Sequence, residues 1–253
     1  MNCIFMCIFN NPNYVNMFYV LLDSIYTYGS LKDGCTEIVV YTSTRFMNMI
    51  LKSPFYKEFI RFEINDKYTN VDKACKARLD LFDLPLIQKY NKILYLDTDI
   101  IIKGDLNIIF DLCTQDILYV LEEGSIDSDT DFWGKKLFIN AGDLTLYTNK
   151  SAFTSGILLF NNCEKMRNLF LNIKNDIIAR PFRFYCHDQP YIIYNAFKYW
   201  MYDNQILKDY VVNNDHNVSS SKIIHHFPGD PGVHQHKIKY MFHFLTELKK
   251  LNA

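Results

Sequence analysis

Asp97-Thr98-Asp99 sits where one apolar run, Ile93-Leu94-Tyr95-Leu96, ends and another, Ile100-Ile101-Ile102, begins. Two carboxylates at such a junction are costly unless something neutralises them. On an extended segment side chains two residues apart point the same way, so Asp97 and Asp99 can converge on one hard divalent cation. A strand-end turn with both carboxylates in solvent is the plainer alternative, and a D-x-D triplet alone does not separate the two. Asp188-Gln189 precedes Pro190 at a predicted helix start, where an Asp also favours the helix dipole. His225, His226, His234, His236 and His243 crowd the last thirty residues, as core histidines or as metal ligands of a zinc-like kind.

These residues need elements to hold them. Strand-like and helix-like runs alternate from the start: a strand over Cys3 to Phe9, a helix from about Tyr14 to Tyr28, and a strand over Glu37 to Tyr41 after a Lys32-Asp33-Gly34 turn. A helix from about Asp72 to Gln88 leads into Lys92 to Asp97, apolar enough to be buried on both faces, and parallel sheet follows from that rhythm. Ligands bind at the carboxyl edge of such sheets, where Asp97 falls. Glu122 to Lys150 lacks periodicity and reads as a long surface excursion. Gly156 to Phe160 is another buried strand, Glu164 to Ala179 and Gln189 to Trp200 are helices, Ile223-Ile224 is a short strand, and an amphipathic helix closes the chain from Phe242 to Leu251.

Composition excludes several classes. A chain of 253 residues, 49% hydrophobic and 22% charged, carries a core without staples and is neither disordered nor collagenous. Its net charge of −1 supplies no basic field, so no nucleic-acid partner is expected. Seven Cys without a CxxC pair imply reduced thiols and a cytoplasmic setting. The apolar opening lacks a basic flank and stops at Asn10-Asn11-Pro12-Asn13, too soon for a signal peptide or an integral membrane segment. With 27 Ile to 7 Ala and 21 Lys to 6 Arg, the coding sequence is expected to be AT-rich, as in some viruses and parasites. A homodimer is left open.

The run K-A-C-K-A-R-L-D-L-F-D-L-P at 73–85, continuing to I-L-Y-L-D-T-D at 93–99, resembles the family 8 retaining glycosyltransferases, the glycogenin and bacterial galactosyltransferase group. Further motifs keep that family's order: Asn11-x-x-Tyr14 after the first strand, Ser155-Gly156-Ile157 in a hydrophobic strand, Asp188-Gln189, and His226-Phe227-Pro228-Gly229. Together they span roughly residues 3 to 237. The resemblance implies an α/β fold: a single GT-A (Rossmann-like) nucleotide-diphospho-sugar transferase domain over 1–253, with a mostly parallel central sheet. Its nucleotide-binding half is expected at about 1–105 and its sugar- and acceptor-binding half at about 106–253.

The resemblance also assigns roles. Asn11 and Tyr14 would hold the uracil of a UDP-sugar, and Phe9 would also contact the donor. Asp97, Asp99 and His226 would bind Mn²⁺ or Mg²⁺, which hard oxygens with one imidazole suit, and Thr98, Ser155 and Gly229 would line the donor. Arg78, with Lys76 as the near alternative, would reach the diphosphate and sugar, Asp188 would anchor sugar hydroxyls, and Gln189 would face the anomeric carbon. Neither Asp188 nor Gln189 is a strong nucleophile at that place, which favours a front-face route through an oxocarbenium-like ion pair. The acceptor would be a glycan or protein hydroxyl. Three departures stand out: Thr154 where the family has Asn, Tyr185 where it has Asp, and Asp230-Pro231-Gly232-Val233 in place of a segment leading to K-P-W. Lys237 is the candidate for the displaced diphosphate cation, with His234 and His236 as competitors. Two other readings compete with the transferase. A sugar-phosphate nucleotidyltransferase would need a glycine-rich first turn, which 10–13 lacks. A degenerate module binding nucleotide sugar without turnover would explain the departures but not the retained acidic residues and His226.

Overall fold

The computed structural model describes residues 1–32, 34–229 and 234–252. The chain begins with β1 (Asn2–Ile8), α1 (Pro12–Tyr28), β2 (Thr36–Thr42), α2 (Thr44–Leu51), β3 (Ile60–Ile64) and α3 (Val71–Lys76). Next come β4 (Lys92–Leu96), β5 (Ile100–Ile102), α4 (Leu106–Asp111), β6 (Leu118–Ser125), α5 (Lys135–Ala141), α6 (Leu144–Tyr147) and β7 (Ser151–Asn161). The remainder is α7 (Glu164–Ala179), α8 (Gln189–Lys198), β8 (Tyr202–Asp203), β9 (Val211–Asn213), β10 (Ile224–His226) and α9 (His234–Leu251).

A seven-stranded sheet runs β3-β2-β1-β4-β7-β6-β8, and β5-β10-β9 form a second, small sheet. In the large sheet β3, β2, β1 and β4 are parallel, and so are β6 and β8, whereas β7 lies antiparallel to both its neighbours. The sheet is therefore mostly parallel, as expected. Alternation along its strands feeds two cores: Phe5, Val39, Ile93 and Tyr95 point to one face, Ile4, Met6, Val40 and Leu94 to the other. Helices α1, α2 and α4 cover the second face, and α5, α7 and α8 cover the first. Because both faces are covered, the central strands read as continuous apolar runs. Outside these layers α9 packs Met241, Phe244, Leu245 and Leu248 against Met17, Ile101 and Phe227.

Three sequence expectations change. The single helix over 72–88 is instead α3 followed by two 3₁₀ segments, Ala77–Asp83 and Pro85–Lys89, because Leu84 ahead of Pro85 is extended (φ −84°, ψ 124°). The excursion over 122–150 holds the end of β6, α5 and α6, with Leu137, Phe138 and Tyr147 buried in the core. The closing helix begins eight residues earlier than expected, at His234 rather than Phe242.

Candidate active site

The carboxyl ends of β1 and β4, the middle of β7 and the start of α8 converge on a cleft of about 230 Å³. β4 ends at Leu96, and Asp97 N donates to Gly156 O of β7 at 2.8 Å, so the first carboxylate is delivered against the adjacent strand. Asp99 precedes β5, and its carbonyl accepts from Phe227 N at 2.9 Å, which brings β10 and His226 beside it. One ligand atom from each of Asp97, Asp99 and His226 lies within 4.8 Å of the others. Two bonds of about 2.1–2.5 Å through one hard cation span that distance.

The site also holds the triad in the orientation a cation needs. His226 Nδ1 meets Asn213 Oδ1 at 2.8 Å, through the β9–β10 pairing that sets these residues opposite each other. With the amide oxygen accepting from Nδ1, Nε2 is the nitrogen that faces Asp99 Oδ1 at 3.5 Å: it donates there when it carries a proton and would offer its lone pair to a cation when it does not. Gly156 leaves the space: a Cβ there would come within 2.5 Å of His226 Cε1 and 2.9 Å of Asp97 Oδ2. Tyr95 donates to Asp97 Oδ1 at 2.5 Å, and Lys237 Nζ to Asp99 Oδ2 at 2.6 Å. Burial raises the Asp99 carboxyl, but hydrogen bonds and charge from His226 and Lys237 outweigh it and hold the group well below the usual carboxylate range. Two hard carboxylates, one oriented imidazole and a cradle without a side chain fit a divalent cation such as Mn²⁺ or Mg²⁺.

Deeper in the cleft Arg78 is clamped rather than solvated. Its Nη1 donates to Ser155 O at 2.6 Å and lies 3.7 Å from Asp97 Oδ1, and its guanidinium stacks 4.7 Å over the Tyr95 ring. Arg78 Nε is 2.9 Å from Asp188 Oδ2, a charge contact rather than an aligned hydrogen bond, since that oxygen has no hydrogen-bond partner. Asp188 is 1% exposed. Burial pushes its carboxyl up to about 6 even though Arg78 pulls the other way. A buried carboxylate that lines a cleft and has one oxygen without an aligned hydrogen bond is suited to take a substrate hydroxyl. Gln189 Oε1 accepts from Ser155 N at 2.9 Å and Ser155 Oγ at 3.1 Å, while its Nε2 donates to Phe132 O at 3.2 Å. Lys76 pairs instead with Asp72 one turn earlier at 2.9 Å. The thiols of Cys75 and Cys186 also line the cleft, and burial raises them to about 12 and about 11.

At the other end Phe9, Tyr14, Thr98 and Gly229 line the wall, and the Tyr14 ring meets His234 edge-on at 4.9 Å. Asn11 does not line the cleft: its Oδ1 caps α1 by accepting from Asn13 N at 2.9 Å, and Asn10, in the left-handed region at φ 66°, takes the place on the wall. Of the departures, Thr154 Oγ1 accepts from Gly156 N at 3.3 Å, and Tyr185 stands 58% exposed on the cleft wall beside Phe132. The turn at 230–233 lies outside the described residues. Asn10, Tyr95 and Asn213 were missed from the sequence, and Gly156 was read as part of a strand motif without its role as the triad's cradle. Only Gly156 carried a signal, as a glycine inside an apolar strand.

Comparison with known proteins places this geometry. A family model described as Glycosyl transferase family 8 matches residues 3–229. The fold is similar to that of the galactosyltransferase LgtC in complex with donor and acceptor sugar analogs, with a TM-score of 0.64, 15% identity and 96% of each chain covered. It is also similar to mouse xyloside xylosyltransferase 1 in its apo form, with a TM-score of 0.63, 13% identity, and 92% of this chain and 99% of that one covered. A bifunctional glycosyltransferase, WbbM, aligns at a TM-score of 0.61 and 17% identity over 98% of this chain but 51% of its own, so this chain spans about half of that protein. At such identities the likeness is one of fold. No curated protein matches significantly.

Proposed function

The chain belongs to glycosyltransferase family 8, and on that premise we propose that it moves a sugar from a UDP-sugar to a hydroxyl of a separate glycan or protein, with retention at the anomeric carbon. The observation that carries this reading is the joining of the Asp97, Asp99 and His226 triad to the buried Arg78–Asp188 pair in one cleft. Phe9, Asn10 and Tyr14 offer aromatic and amide surface to the base, and both halves of the chain, 1–105 and 106–253, line the cleft. When bound at the triad, a divalent cation supplies the positive charge that stabilises the departing diphosphate.

The chain's own residues do the rest. Asp188 takes sugar hydroxyls, and Arg78 keeps that carboxylate charged and set in place. Gln189 Oε1 already accepts two hydrogen bonds from Ser155, which makes it a poor nucleophile, and this supports a front-face route. In that route the bond from the anomeric carbon to the diphosphate breaks, the bond to the acceptor oxygen forms on the same side through an oxocarbenium-like ion pair held by the cleft, and the acceptor hydroxyl's proton passes to the departing diphosphate oxygen.

The test is turnover of a panel of UDP-sugars with Mn²⁺ by the wild type and by Asp99→Asn, alongside UDP binding. Mn²⁺-dependent transfer or hydrolysis that is lost in Asp99→Asn, with cooperative unfolding kept, is the expected result. Binding without turnover in the wild type would leave a nucleotide-sugar-binding module instead.

A further inference from the structure

Lys237 reaches the cleft from the first turn of α9, and its side chain is only 11% exposed where it meets Asp99 Oδ2. The other oxygen of the same carboxylate, Oδ1, faces His226 Nε2 at 3.5 Å. Asp99 is thus shared between a fixed ammonium and the position a divalent cation would take. An ammonium and a divalent cation on the two oxygens of one carboxylate repel each other, and burial leaves that repulsion poorly screened. A diphosphate entering beside both turns the arrangement around, because its negative charge attracts each of them.

Arg78, the cleft's other cation, is held by Ser155 O, Asp188 and the Tyr95 ring, so it stays with the sugar end. Lys237 has a flexible stem and needs only to swing from one anion to another. His234, one turn earlier on α9, packs on Tyr14 at the base end, which keeps the ammonium within reach of a nucleotide.

We propose that Lys237 couples the metal to the nucleotide: it holds down the affinity of the Asp97, Asp99 and His226 triad for a divalent cation until a nucleoside diphosphate arrives, and then shifts onto that diphosphate. The inference rests on the reading of the cleft as a UDP-sugar site. Coupling of this kind is reciprocal, so the cation strengthens nucleotide binding by the factor the nucleotide strengthens cation binding.

Free Mn²⁺ measured by electron paramagnetic resonance, during titration with and without UDP, reads both affinities directly in the wild type, Lys237→Met and Lys237→Arg. In Lys237→Met, Mn²⁺ alone should bind about tenfold more tightly than in the wild type, and the gain on adding UDP should shrink by a similar factor. Lys237→Arg keeps the charge and should keep the wild-type coupling, which separates charge from folding. Weaker binding of Mn²⁺ alone in Lys237→Met would mean that the ammonium merely orients Asp99 and would overturn the proposal, as would affinities unchanged from the wild type. A wild type that binds neither Mn²⁺ nor UDP removes the proposed function itself, and the coupling with it.

Discussion

A single methyl group is enough to test the metal cradle. Gly156 lies in the extended backbone of β7, so alanine there brings no backbone strain, but its Cβ would crowd His226 Nε2 at 2.7 Å and Asp97 Oδ2 at 2.9 Å. Gly156→Ala should therefore weaken Mn²⁺ binding by about tenfold or more while the sheet stays folded. Calorimetry showing wild-type Mn²⁺ affinity in that variant would remove the cradle from the site. Asp188 gives a pH dependence. Its folded value of about 6 lies above the ordinary Asp value of about 3.9. The folded protein thus binds more protons than the unfolded chain between those limits, and stability falls as pH rises through them. The hydroxyl-anchor role proposed for Asp188 needs the opposite, ionised form, so on that role kcat/KM should decline as pH drops below about 6. A profile flat from pH 5 to 8 would contradict the hydroxyl-anchor role. Asp97 and Asp99 were legible because two carboxylates at the end of an apolar run demand a reason, and Asp188 because Asp188-Gln189 resembles a family motif. Asn213 was not, since only the pairing of β9 with β10 makes it a partner of His226.

Among the elements, α9 couples packing to the site. Leu248 is fully buried at its far end, and Leu248→Ala should cost about 2–5 kcal/mol. Because the same helix presents His234 and Lys237 to the cleft, UDP affinity should fall with it, measured by titration below the melting range. Destabilisation with unaltered UDP affinity would disconnect α9 from the site. The sequence revealed this helix only from Phe242, because residues 234–240 are polar or charged except for Ile238 and Tyr240, and show no apolar stripe. The direction of β7 was equally hidden: an apolar run buried on both faces looks the same whether its neighbours run with it or against it. The break near Leu84 was available from Pro85, but the charge pattern of 72–88 masked the change to tighter 3₁₀ turns.

At the scale of the whole molecule, the question is whether the enzyme is its own acceptor. Tyr199 and Tyr202, beside Trp200, do not line the cleft, and the Tyr202 ring stacks on Phe197 at a centroid distance of 4.2 Å. Incubation with Mn²⁺ and several UDP-sugars should leave the intact mass unchanged, and a ladder of hexose increments would overturn a separate acceptor. Among the described residues no helix is long and apolar enough to cross a membrane. The cleft's own bonds have a consequence for biosynthesis. Arg78 meets Ser155 across 77 residues of chain and Asp188 across 110, and Lys237 meets Asp99 across 138. Closing loops of that length precedes any reward from the contacts they make. A ribosome that has already released Arg78, Asp97 and Asp99 has therefore released the pieces of a site and no site. A ligand site built on these contacts can form only once α9 has been made and docked, since Lys237 comes from that helix.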